Sequence, residues 1–178
     1  MLADFSKTLI SVTGYGSLSR SPIPVRRNVN FNPKDQQFQS RVAASFARQE
    51  AMKTLGIEIA GIEPGEVELA LAHSAALTQQ HGFLHAGIIA TGLDSACGYA
   101  AFSLMPENAA VLTVEFKINL LAPARGERFL FRGKVVKPGR TITVCEGEAI
   151  AKDGDRETLV ATMTGTLMAV YDRPGIQH

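Results

Sequence analysis

Hydrophobic and polar positions change rhythm along this chain, and each change marks an element. From Asp35 to Leu55 the period is helical. Phe38, Val42 and Phe46, then Met52 and Leu55, approximate one apolar stripe, with Arg41, Arg48 and Lys53 elsewhere. Gly56 supplies a C-terminal stop. Extended chain follows. Ile57, Ile59 and Gly61 alternate with polar or small residues, and Glu63-Pro64-Gly65-Glu66 reads as a turn. Val67, Leu69, Leu71, His73, Ala75 and Leu77 then occupy one face of a second run, with Glu66 and Glu68 on the other. That parity places His73 in the core.

Ala86 to Ser103 has neither rhythm. Projected as a helix it is apolar or small almost all round, the pattern of a buried helix. Asp94 is its only formal charge. Its face is lined by Gly87, Ala90, Gly98 and Ala101, which leave room for something to approach.

Four strand-like runs come next, divided by turn signals. In the first, Leu112, Val114, Phe116, Ile118 and Leu120 alternate with Thr113, Glu115, Lys117 and Asn119, and Pro123 ends it. By parity Thr113 points away from the apolar row, toward solvent or a subunit interface. The second, Glu127 to Lys137, sets Phe129, Phe131 and Val135 against Arg128, Arg132 and Lys134, and Pro138-Gly139 turns it. The third runs from Arg140 to Ala151 and stops at Lys152-Asp153-Gly154. The fourth, Glu157 to Tyr171, has Thr162, Thr164 and Thr166 facing away from Ala161, Met163 and Leu167. Short turns require antiparallel pairing. The expected architecture is α+β: a long central helix wrapped by a curved antiparallel sheet, a hotdog fold.

Composition narrows the class. The 178 residues are 46% hydrophobic and 20% charged with net charge +1, ordinary for one globular domain and no argument for nucleic acid or a charged membrane. Residues 35–178 are read as one domain with its N-terminal helix. Residues 1–34 are read as an extension, rich in Ser, Gly, Pro and Asn. It carries Lys7, Arg20, Arg26 and Arg27 but no acid between Phe5 and Pro33. A transit peptide has that charge balance too, but Pro22 and Pro24 interrupt any amphipathic helix. The start of the chain lacks the layout of a signal peptide. Two cysteines, Cys97 and Cys145, form no metal spacing and no disulfide framework, and suit reduced thiols in the cytoplasm. The apolar stretch Gly82 to Met105 approaches membrane-spanning length, yet His85 and Asp94 within it favour a core helix.

The chemistry gathers at the start of that helix, in His81-Gly-Phe-Leu-His-Ala-Gly87. A helix N-terminus presents unpaired N–H groups and a positive dipole end, which suit a developing oxyanion. Gly87 allows close approach to the backbone. A carboxylate buried without a partner is costly, so Asp94 needs a reason. Two readings stand on chemistry alone: a general base or nucleophile facing a cleft, or a structural acid accepting hydrogen bonds from backbone or Thr91. His85 alone reads equally as a hydrogen-bonded structural residue, and His81 as part of a loop. No GxSxG elbow, Walker A loop or GxGxxG loop is present.

The segment Gln79-Gln-His-Gly-Phe-Leu-His-Ala-Gly-Ile-Ile-Ala-Thr-Gly-Leu-Asp-Ser-Ala-Cys-Gly-Tyr-Ala100 resembles the signature of PaaI-like hotdog thioesterases, the phenylacetic acid degradation type. That family has an Asn, a Gly, His-Gly-Gly and an acid nine residues after the His, and His85 and Asp94 keep that spacing. Thr113 to Pro123 and Val135 to Thr141 are similar to the strands that follow, so the resemblance covers roughly residues 55–171. It implies hydrolysis of an acyl-coenzyme A, with no cofactor because coenzyme A is part of the substrate. Asp94 matches the catalytic acid. The amides of Ala86 and Gly87 match oxyanion donors, and Thr113 matches a hydroxyl that helps hold the water. It also implies a homodimer or homotetramer with shared sites. Gln79 stands where the family has Asn, and Ala86 replaces the first Gly of His-Gly-Gly. An N–H survives the second change.

Phe83, Tyr99 and Phe116 are candidates to line an acyl pocket, and equally core residues. Coenzyme A phosphates need cations. The Arg128, Arg132 and Lys134 stripe is one candidate set, with Lys137 and Arg140 near the turn; a solvated sheet face is the alternative. Two other functions fit less of the pattern: a hotdog hydratase acting on enoyl thioesters, and a non-catalytic acyl-CoA-binding module.

Overall fold

A computed structural model describes residues 31–175. The extension expected over residues 1–34 therefore lies mostly outside the described residues.

The helical stretch before Gly56 is two helices, α1 (Phe38–Phe46) and α2 (Glu50–Leu55), and not one. The break has a geometric cause. In a continuous helix Met52 would sit about 240° round from Phe46, on the wrong side. Arg48 and Gln49 instead donate to the carbonyls of Ser45 and Phe46 in a tight turn, and Met52 is re-aimed into the core. Gly56 ends α2 in the left-handed conformation at φ 71°.

Strands β1 (Ile57–Glu63) and β2 (Glu66–Ala72) form a hairpin through Pro64-Gly65. The second run stops earlier than its alternation suggests. Ala75–Leu77 is a 3-10 turn, and His73 is exposed, which corrects its placement in the core. Its amide donates to the Glu127 carbonyl at 2.8 Å, so the backbone still continues the ladder for one residue.

Helix α3 spans Ala86–Ser103, the bounds read from its uniformly small and apolar composition. Four strands follow: β3 (Ala109–Leu120), β4 (Arg128–Lys137), β5 (Ile142–Asp153) and β6 (Arg156–Tyr171). Among the described residues the strands make one six-stranded antiparallel sheet, in the order β1-β2-β4-β5-β6-β3. The helix lies against the middle of it. Gly133 and Gly147 face each other across β4 and β5 and let the helix approach closely. A Cβ at Gly133 would stand 2.3 Å from the Ala96 carbonyl carbon, and one at Gly147 would stand 3.1 Å from Leu93 and Cys97 side-chain atoms. Phe129, Phe131, Val135, Ala149, Met163 and Leu167 complete the core round Leu93, Ala96, Cys97 and Phe102.

The far end of α3 is tied down by polar contacts. Ser103 Oγ donates to the Ala100 carbonyl and accepts from the Gly65 amide at 2.8 Å. Arg41 donates to the carbonyls of Phe102 and Met105 and lies 4.1 Å from the Phe102 ring centre. A guanidinium at this end also complements the helix dipole. Asp35 holds Arg41 through Oδ2 at 2.7 Å. The Gln37 amide first, and then Arg41, keep the Asp35 carboxyl below its ordinary range.

Strand β3 is an edge, and it contains a bulge. Thr113 pairs with Leu167 but Glu115 pairs with Thr166, so Val114 is an extra residue. Ahead of the bulge the odd residues share a face with buried Leu167 and Ala169. Beyond it the even residues Phe116, Ile118 and Leu120 share a face with Gly165, Met163 and Ala161. Thr113 and Phe116 therefore both point to the helix side. The strict alternation expected along this strand is overturned at one position.

Candidate active site

Asp94 sits half-buried in the middle of α3, and Thr113 meets it. The Thr113 hydroxyl donates to Asp94 Oδ1 at 2.8 Å. Parity pointed Thr113 toward solvent or an interface; the bulge turns it inward. Thr91, the donor considered for a structural Asp94, donates instead to the Gly87 carbonyl at 2.8 Å.

At the helix start His85 is the N-cap. Its Nδ1 accepts from the Gly87 amide at 2.9 Å, which puts the proton of a neutral ring on Nε2. The Gly87 N–H is thus occupied by an imidazole acceptor. Among the described residues the exposed Ala86 amide takes no protein acceptor. Two bonds fix this entry: Leu84 donates to the Ala124 carbonyl at 3.0 Å and His85 to the Leu77 carbonyl at 3.0 Å.

Gln79 is committed to its own loop. Its Oε1 accepts from the His81 amide at 2.7 Å, and its amide donates to the Phe83 carbonyl at 2.9 Å. Phe83 is half-buried with the Arg125 guanidinium 5.1 Å from its ring centre. Tyr99, a candidate for the acyl pocket, packs in the core edge-on to Phe46 and Phe102, with its hydroxyl 3.3 Å from Ser45. Burial raises its pKa. Phe116 is 42% exposed, on the helix side of β3.

The candidate cations lie elsewhere. Lys134 and Arg132 alternate with buried Phe131 and Val135, so they project from the outer sheet face. There Arg132 pairs with Glu68 at 2.5 Å and Lys134 with Glu66 at 3.5 Å. Arg128 stands on the same face. Lys137 and Arg140 are exposed near the β4–β5 turn, the end of the sheet where Val135 donates to Gly65 and Gly65 to Ser103. That is the C-terminal end of α3, and the oxyanion candidates are at the other. None of these cations is brought beside Asp94 within one chain.

Cys97 and Cys145 are free and buried, and the Cys145 thiol donates to the Cys97 carbonyl at 3.5 Å. Burial first, with Asp94 and Glu146 adding, pushes the Cys97 thiol up to about 12. These thiols are not nucleophiles at neutral pH. Among the described residues no three His, Cys, Asp or Glu side chains are grouped to hold a metal ion. No helix among them is long and apolar enough to cross a membrane.

A long helix wrapped by an antiparallel sheet, presenting a carboxylate in its middle and, among the described residues, an unpaired amide at its start, is a hotdog fold. The pattern of the thioesterase superfamily matches residues 81–158, which include Asp94 and Thr113. A thioesterase family protein from Silicibacter pomeroyi is 62% identical; its crystal structure aligns with a TM-score of 0.74 over 75% of this chain and 98% of that one. A Saccharolobus solfataricus protein provisionally named an esterase is 33% identical over 102 residues, 57% of this chain and 72% of its own. The E. coli PaaI protein from the phenylacetic acid degradation operon shares the fold, with a TM-score of 0.69 at 20% identity over 77% of this chain and 96% of that one. This chain belongs to the thioesterase superfamily and is a thioester hydrolase.

Proposed function

We propose that this protein hydrolyses acyl-coenzyme A thioesters with Asp94 as general base. The observation that carries the reading is the Thr113–Asp94 hydrogen bond on the open side of α3. It orients the carboxylate through Oδ1 and leaves Oδ2 for a water. Asp94 takes a proton from that water as its oxygen adds to the thioester carbonyl carbon. The oxyanion is received by the Ala86 amide, and by the Gly87 amide in place of His85 Nδ1. Collapse breaks the C–S bond, and the proton held on Asp94 passes to the departing thiolate. The products are a free acid and coenzyme A, and no further cofactor is needed. A metabolite of this class and two free thiols suit the cytoplasm.

The site is proposed to be shared between two copies. Gly87 and Asp94 lie on one helix face, seven residues apart, which is about 10 Å along the axis. One carbonyl does not touch both. Two helices running in opposite directions bring the start of one beside Asp94 of the other. The β3 edge, with exposed Leu112, Val114, Phe116, Leu120 and Leu121, offers the surface for a homodimer.

Two experiments test this. Asp94→Asn and Asp94→Ala are expected to abolish thiol release across a panel of short, long and aromatic acyl-CoAs while the circular dichroism spectrum is unchanged. Full turnover in either sinks the reading. For the shared site, Asp94→Asn is mixed with Ala86→Pro, which deletes an amide at a position where helices accept proline. Refolding the two inactive variants together should restore about a quarter of wild-type activity if sites are shared across a two-fold axis. No recovery would mean that each chain works alone.

A further inference from the structure

We infer that a pocket at the start of α3, built on Arg125 and Arg156, binds the phosphate-bearing nucleotide end of the coenzyme A thioester. This rests on the acyl-CoA reading above. The pocket has a volume of about 420 Å³ and is walled by Phe83, Pro123, Arg125, Asp153, Arg156 and Thr158. Three separate segments meet there: the loop entering α3, the connection after β3 and the β5–β6 hairpin.

The two arginines differ from the cations of the outer face. Arg132, Lys134 and Lys152 each hold a carboxylate, from Glu68, Glu66 and Glu157. Arg128 lines a pocket with Glu68 and Glu127. Among the described residues neither Arg125 nor Arg156 forms an ion pair. Two guanidinium groups against the single carboxylate of Asp153 leave the pocket with one net positive charge. Arginine is the side chain suited to phosphate oxygens, because its planar fork donates two parallel hydrogen bonds. Asp153 suits a hydroxyl or amino donor, and a ribose and an adenine supply both.

The backbone that carries both arginines is also held in place. Arg125 lies between two pinned points: Ala124 accepts from Leu84 at 3.0 Å, and Glu127 donates to Lys152 at 2.8 Å. Its guanidinium rests on the Phe83 ring. Arg156 opens β6 directly opposite Asp153 in the hairpin register. A backbone fixed beforehand lowers the ordering cost of binding.

Position completes the argument. Phe83 is three residues from Ala86, a span of at most about 11 Å. An extended pantetheine arm is longer than that, so phosphates in this pocket and a carbonyl at the Ala86 amide fit one molecule.

The test compares two substrates with the same acyl group, one on coenzyme A and one on N-acetylcysteamine, which has no phosphate. Arg125→Gln plus Arg156→Gln should raise KM for the acyl-CoA at least tenfold, hold kcat within twofold, and leave both constants for the N-acetylcysteamine thioester unchanged. Both side chains are exposed, so the fold should survive. An unchanged KM for acyl-CoA overturns the pocket and leaves the hydrolase reading standing. Equal losses on both substrates also overturn it, since they mark a structural effect. Inorganic phosphate inhibiting the wild type as well as adenosine 3′,5′-bisphosphate does would reduce the pocket to a general anion site, against the proposal. A wild type that cleaves the N-acetylcysteamine thioester but no acyl-CoA defeats the acyl-CoA reading itself, and this inference with it.

Discussion

From Ala86 to Ser95, α3 leaves its first two residues exposed and Asp94 half-buried; from Ala96 to Ser103 every residue is buried. Both halves are made of small and apolar residues. Their polar groups are used differently. In the second half, Ser103 is spent on Gly65, Tyr99 meets Ser45, and the last carbonyls are capped by Arg41. In the first, the Ala86 amide has no acceptor among the described residues and Asp94 has Thr113 at one oxygen. The buried half anchors the helix against Gly133 and Gly147, and that anchorage holds the Ala86 amide and Asp94 of the other half at fixed positions.

Mutations should separate these roles. Asp94→Asn should lower kcat by about 10²–10⁴-fold, the range for a general base, while the melting temperature stays near wild type. A large drop in melting temperature would erase the contrast. Gly133→Ala should do the reverse. Its Cβ meets Ala96 backbone, so about 3 kcal/mol of stability should be lost in urea unfolding, with kcat kept in the fraction that remains folded. Ser103→Ala strands the buried Gly65 amide and should cost about 1–3 kcal/mol without altering kcat at low temperature. Thr113→Val should reduce kcat by about tenfold, matching one hydrogen bond to a charged group, and barely change stability. The smallest effect concerns Cys97. With its thiol pushed up to about 12, it should resist iodoacetamide at pH 8 in the folded protein and react once urea unfolds it. Rapid labelling of the native protein would show that the anchored half opens.

The two halves were not equally legible. The bounds of α3 followed from composition, because nothing else in the chain is apolar on every side for eighteen residues. Asp94 stood out as the charge in that helix, and its spacing from His85 carried the family resemblance. Its contact with Thr113 ran against strand parity, because a bulge leaves no mark in a run of alternating residues. The split between α1 and α2 leaves only the six-residue spacing from Phe46 to Met52 as its mark in the sequence. His73 kept the parity of its strand but lay one residue past its end. Arg125 and Arg156 carry no joint signal in the sequence. They are thirty-one positions apart, and only the pairing of β4 with β5 and β5 with β6 joins their segments.

The bulge at Val114 works as a phase shift in the chain. It lets one strand satisfy two different partners on the same side, Thr113 for Asp94 and Phe116 beside Gly165. Substitutions around it should act on one side chain at a time. Removing one residue changes which half of the strand faces inward. The number of residues between Thr113 and Phe116 thus matters as much as their identities, and shortening β3 by one should silence the enzyme even with every named side chain retained.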